Sequence, residues 1–172
     1  MTNFIKKYIS KIKQFSSENE IIKKSRYGVR GVFDIAYHSE GLETQVNDIS
    51  KRQEISPRYI EQIFQKLKRA EIIGSKRGPK GGYFLVKKPG EITVGEIIRV
   101  TEGNIDPVLC MDPEDPGQPC GRSKECVTRI IWNEAGNKLK EYFDSVTIRD
   151  LCEKAQEMGI KKILGHRFMY YI

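Results

Sequence analysis

Three of the chain's four cysteines, Cys110, Cys120 and Cys126, fall within one stretch at the spacing C-x9-C-x5-C. Thiolates are soft ligands that suit iron-sulfur clusters, zinc or copper(I), and a loop lets them converge without distorting a helix. No pair has the C-x2-C spacing of zinc ribbons, which weakens structural zinc. Residue types alone leave three readings open: a metal site, redox-active thiols, or coincidence. Cys152 lies in a helical stretch further on and reads as a small buried hydrophobe. Enzyme chemistry has little support. There is no C-x-x-C and no Gly-rich nucleotide loop, and His38 and His166 have no second catalytic type beside them in the sequence.

A second set of residues suits phosphates and base edges. From Ile55 to Tyr83 the chain reads ISPRYIEQIFQKLKRAEIIGSKRGPKGGY. Ile60, Ile63, Phe64 and Leu67 recur at helical spacing and form an apolar face. The opposite face carries Arg58, Glu61, Gln62, Gln65, Lys68 and Arg69, which can reach a major groove. Ser56 is placed to supply an N-cap oxygen and Pro57 stands at the first helical position, so the helix start is sharply defined. The start of such a helix is the end that enters a groove, which adds Ser56 and Tyr59 to the candidate contacts. GSKRGPKGGY then suits a tight turn between two short strands, the second being Tyr83 to Val86. Lys76, Arg77 and Lys80 crowd that tip, as befits a wing reaching a minor groove or adjoining phosphates.

The charge is local. Residues 51–90 hold eleven lysines and arginines against three glutamates, a net of +8 that exceeds the +7 of the whole chain. A charge run alone is usually a solvated face; combined with the helix and hairpin it points to double-stranded DNA.

The elements that would position these residues follow in order. Residues 1–24 read as a basic amphipathic appendage, with Ile5, Tyr8, Ile9, Ile12 and Phe15 at helical spacing. It suits a membrane-surface or targeting helix, or else a helix packing on its own protein or a frayed basic arm near DNA, the latter pair being favoured because no second anchoring signal accompanies it. Residues 25–102 read as a winged helix-turn-helix DNA-binding domain. Its first helix carries Val29, Val32, Phe33, Ala36 and Tyr37 and ends near Gly41. A short helix from about Asn47 to Gln53 precedes the reading helix. The signature Thr93-x-x-Glu96 opens a helix that Gly103 ends. Residues 103–126 form the cysteine-containing loop, whose four prolines exclude regular structure. In residues 127–158 a long helix carries a stripe of Val127, Ile131, Ala135, Leu139, Tyr142, Phe143 and Val146. A partner helix in a symmetric dimer is its natural cover, although packing within one chain is the alternative. Thr147 and Asp150 cap a last helix with Leu151, Ala155 and Met158, and residues 159–172 form a tail.

At 172 residues and 38% hydrophobic composition the chain can bury a core, and it has neither an apolar run of membrane-spanning length nor the apolar segment of a secretory signal. A cytoplasmic protein with reduced thiols is expected. The expected fold is mainly α with a small β-hairpin wing: a winged helix-turn-helix plus a long dimerisation helix.

The runs SRYGVRGVFDIAYHS, ISKRQEISPRYIEQIFQKLKRAEII, RGPKGGYFL, EITVGEIIRVTEG and YFDSVTIRDL, with the cysteine trio, resemble the bacterial winged-helix regulators that include IscR, NsrR and CymR, over about residues 25–155. The likeness is nearest to the IscR type. It implies a homodimeric transcription regulator, a repressor by expectation, that acts on a palindromic operator. It further implies Cys110, Cys120 and Cys126 as ligands of an iron-sulfur cluster (2Fe-2S or 4Fe-4S), controlling genes of cluster assembly or related iron and sulfur metabolism. It implies Glu61 as the acid that discriminates between DNA sites and Arg77 as the residue inserted into the minor groove. The fourth ligand departs from the resemblance: Arg129 stands where the IscR type has histidine, and Arg26 where the NsrR type has an acid. The alternative is a cluster-independent or thiol-redox regulator of cysteine metabolism of the CymR type, answering to a metabolic enzyme partner.

Overall fold

The computed structural model describes residues 23–39, 41–79, 81–103 and 125–163. Helix α1 covers residues 23–38, followed by α2 (Val46–Gln53) and α3 (Pro57–Arg69). A hairpin of β1 (Ile73–Lys76) and β2 (Gly82–Leu85) comes next, then a single 3-10 turn at Pro89–Glu91. Helices α4 (Val94–Glu102), α5 (Thr128–Ser145) and α6 (Ile148–Glu157) complete the order. This is the mainly helical winged architecture expected, with a long helix after the cysteine loop.

One core holds the reading helix in place. Ile60, Ile63, Phe64 and Leu67 of α3 are buried against Val32 and Ile35 of α1, Ile49 of α2, Ile97 of α4 and Ile148 of α6. Each such side chain contributes roughly 1.5–3 kcal/mol by leaving water. Gly31 allows α1 to approach closely, since a Cβ there would come within 2.6 Å of the Phe64 ring.

The two strands pair antiparallel, Ile73 opposite Leu85 and Lys76 opposite Gly82. The sheet gains a third member because Thr44 exchanges both backbone hydrogen bonds with Tyr83, each at 2.8 Å. Gly82 is required at this crossing: a Cβ on it would stand 2.5 Å from the Thr44 carbonyl oxygen. Tyr83 also sets its ring edge-on to Phe64, centroids 4.8 Å apart, which ties the wing to the helix core.

Helix starts differ in detail from expectation. Ser56 is the N-cap of α3 and Pro57 its first residue, but the Ser56 side chain makes no capping bond. Its backbone carbonyl instead accepts from Tyr59 at 3.0 Å and Ile60 at 3.1 Å, and Pro57 has no amide to offer. At α4, Thr93 Oγ1 accepts from the Glu96 amide at 3.0 Å, whereas the Glu96 carboxylate turns to Lys87 at 2.6 Å, leaving half a capping box. The box at α6 is complete, with Thr147 and Asp150 bonded reciprocally. Met158, expected on the inner side of α6, is 69% exposed and stands just past the helix end at Glu157. Helix α1 stops at residue 38, short of Gly41.

Helix α4 is fixed to the α5–α6 junction by the Val94 amide donating to Val146 and the Ile148 amide donating to Ile92, both at 2.9 Å. Arg99 pairs with Asp144 at 2.8 Å on the same seam. Elsewhere α5 buries Gly136, but the described residues leave much of its apolar surface uncovered. Ile130, Ile131 and Tyr142 are 69%, 65% and 63% exposed, and Val127 and Trp132 are exposed as well.

Candidate nucleic-acid interface and cysteine site

On α3, Arg58, Glu61, Gln62, Gln65, Lys68 and Arg69 are all exposed and opposite the buried stripe. Ser56 is exposed at the helix start. Tyr59 differs: its ring is half-buried and meets Tyr27 of α1 edge-on at 5.7 Å, so it lines the border of the reading face. The face is thus a strip of cations and amides around a single carboxylate, that of Glu61.

The wing stands in fixed register beside this strip. Lys68 Nζ donates to Ser75 Oγ at 2.6 Å, joining α3 to β1. Lys76 Nζ pairs with Glu43 at 3.0 Å, and Gln45 Nε2 donates to the Pro79 carbonyl at 3.3 Å. The turn closes with the Gly81 amide on the Gly78 carbonyl at 2.8 Å, and Gly78 supplies its φ of +113°. Arg77 is exposed at this turn. Lys80 lies outside the described residues.

Of the cysteine trio, Cys110 and Cys120 lie outside the described residues. Cys126 stands two residues before α5, partly exposed, with Sγ 3.2 Å from Thr128 Oγ1. The Thr128 hydroxyl first, then the Arg129 amide, hold its thiol below the usual range, favouring the thiolate form that ligates metal. Among the described residues no three Cys, His, Asp or Glu side chains gather in one place. Cys152 is half-buried on α6 against the main core, and burial pushes its thiol up, as suits a packing role. Arg26, at the position where the NsrR type has an acid, lies with its guanidinium 5.3 Å from the Tyr27 ring centroid.

Two structural features had no sequence signal strong enough to single them out. Asp34, fully buried, receives Arg52 in a paired contact at 2.7 and 3.1 Å together with Gln53 Nε2 at 2.8 Å. Arg30 in turn donates to the Gln53 side chain at 3.0 Å and to its carbonyl. This network sets α1 against α2, the first helix of the helix-turn-helix pair; an acid amid Val32, Phe33 and Ile35 was its only trace. The second is the start of the tail, where the Ile160 carbonyl accepts from Tyr37 Oη at 2.6 Å and His38 Nδ1 accepts from the Ile163 amide at 3.0 Å.

Residues 21–154 match the family model Rrf2, described as an iron-dependent transcriptional regulator. The chain belongs to the Rrf2 family. The HTH-type transcriptional regulator IscR of Aliivibrio salmonicida (strain LFI1238) is 34% identical over 132 residues, 77% of this chain and 76% of the relative. Among solved structures, T. potens IscR matches with a TM-score of 0.64 and 33% identity, covering 86% of this chain and 93% of the other. The global cysteine regulator CymR of B. subtilis matches with a TM-score of 0.62 and 34% identity, covering 76% and 94%. As an Rrf2 regulator the protein is a homodimeric, DNA-binding transcription factor and not an enzyme. No helix among the described residues of this Rrf2 chain is long and apolar enough to cross a membrane.

Proposed function

We propose that the protein represses or switches transcription according to iron-sulfur status, through a cluster ligated by Cys110, Cys120 and Cys126. The observation that carries this reading is the thiol of Cys126. It stands two residues before α5, next to the exposed apolar side chains of Val127, Ile130 and Ile131, which suit cover by a second subunit. A ligand there links metal chemistry to the subunit seam, and the seam sets the spacing of two reading helices. The family's iron-dependent description and the IscR relatives support the same reading. When bound, a cluster supplies redox- and oxygen-sensitive bonds whose loss changes the charge and shape of that seam.

The DNA-contacting set is Ser56, Arg58, Tyr59, Glu61, Gln62 and Gln65 on α3, with Lys76, Arg77 and Lys80 from the wing. Two such surfaces in a symmetric dimer suit a palindromic site with half-sites about one turn, ~34 Å, apart. Glu61 accepts from a cytosine amine and is repelled by phosphate, so it selects among sites. Arg77 gains most where the minor groove is narrow.

Iron and acid-labile sulfide analysis of anaerobically purified protein tests the cluster: both should be present, and Cys120→Ala should remove both. A second reading, a cluster-independent regulator of the CymR type, is favoured by Arg129 at the position where the IscR type has its histidine ligand and by the likeness to CymR. Unchanged promoter binding and redox response in a triple-serine variant would select it.

A further inference from the structure

Beside the reading face, on the flank of α3 away from the wing, lies a cleft of about 190 Å³ lined by Lys24, Tyr59, Gln62, Ile63, Lys66 and Thr101. It is where α1, α3 and the end of α4 meet. Two of its six lining residues carry ammonium groups, three more offer a hydroxyl or an amide side chain, and none is acidic. A third cation stands near: Lys23 Nζ lies 6.0 Å from the centroid of the Tyr59 ring. Lys66 Nζ is anchored by donating to the Thr101 carbonyl at 2.7 Å, which fixes its charge at the rim while leaving further N–H donors on the same ammonium. Two acids adjoin the lining residues in sequence, Glu61 and Glu102; the Glu102 carboxylate accepts from the Ser25 amide at 2.7 Å, and neither acid lines the cleft.

We infer that this cleft is an anion site that takes a phosphate of the DNA backbone at the edge of the groove opposite the one the wing reaches. Three observations carry it. Gln62 belongs both to the cleft and to the exposed face of α3, so the two surfaces are continuous. Lys24 comes from a different element than Lys66, so one bound phosphate would tie α1 to the reading helix and fix the helix's depth in the groove. The wing's described cations, Lys76 and Arg77, belong to the other flank, and a helix held by phosphates on one side alone would be free to roll. Lys23, Lys24 and Lys66 thereby join the protein–DNA interface as positioning residues that read no sequence.

The test is the salt dependence of DNA binding by the full-length dimer, with Lys24→Gln and Lys66→Gln compared with the parent protein. Each lost phosphate contact should flatten the slope of log affinity against log salt by about 0.9, and weaken cognate and random duplexes by the same factor. Lys24→Gln is the decisive variant because Lys66 also holds Thr101, and thermal melting checks that both variants are folded. An unchanged slope for Lys24→Gln, or a loss confined to cognate DNA, would overturn the proposal. Titration with inorganic phosphate separates the sources of the anion. Weak, unsaturable binding keeps the site with DNA; saturable stabilisation abolished by Lys24→Gln, with DNA slopes unaltered, assigns it to a free phosphate and overturns the DNA contact.

Discussion

Arg52 reaches from α2 to clasp the carboxylate of Asp34 on α1, with side-chain exposures of 8% and 0%. The contact orients the first helix of the DNA-binding pair through an ion pair removed from water. Such a pair adds little over an apolar substitute, but removing one partner strands the other charge. Arg52→Ala should therefore lower stability by about 3–5 kcal/mol, read from urea unfolding. A loss under about 1 kcal/mol would mean the pair is solvated in solution.

His38 gives the fold a pH dependence. Its pKa lies below the ordinary 6.5, chiefly through burial; Asp34 opposes the shift, while Arg52 and Lys162 add to it. The unfolded chain binds the proton first, so stability from neutral His38 is full above pH 6.5 and declines as pH falls through the lower folded value. Protonation would also remove the Nδ1 acceptor of the Ile163 amide. His38→Asn offers an acceptor without titrating, and its melting temperature should fall less than the parent's between about pH 7.5 and about pH 5.5. Equal falls would contradict this origin.

Glu61 and Arg77 should fail in different ways. Glu61→Ala should relax discrimination at one base position by about 1–3 kcal/mol and bind random DNA slightly better. Arg77→Ala should weaken operator binding, most on sites with narrow minor grooves. Binding assays over a set of single-base operator variants distinguish the two patterns.

The apolar face of α5 should be the subunit seam. Ile131, 65% exposed in the single chain, replaced by aspartate would put a carboxylate into that seam. Ile131→Asp should sediment as a folded monomer and lose operator affinity while each chain melts normally. A dimer unaffected by the change would move the seam elsewhere.

How much of this was legible beforehand depended on the range of the interactions. The apolar stripe of α3, Pro57 at its start and the Thr147–Asp150 box are local patterns, and they read true because helix periodicity and capping act within a few residues. The long exposed stripe of α5 was visible for the same reason. The Asp34–Arg52 contact spans eighteen positions and the His38–Ile163 bond 125, so neither leaves a spacing to recognise. Ser56 shows a smaller failure: residue type named the cap position, but the backbone carbonyl takes the Tyr59 amide and the hydroxyl makes no capping bond. At the cysteine site, spacing nominated Cys126, but the Thr128 and Arg129 donors that tune it came only from the first turn of α5.

The most direct test of a cluster-governed DNA reader is operator affinity measured anaerobically on the same preparation before and after cluster removal, alongside Cys126→Ala. The account predicts iron and sulfide in the parent protein, a change in operator affinity or site preference when they are removed, and a Cys126→Ala protein fixed in the cluster-free behaviour. Iron-free protein under those conditions, or identical DNA binding in all three states, would contradict it.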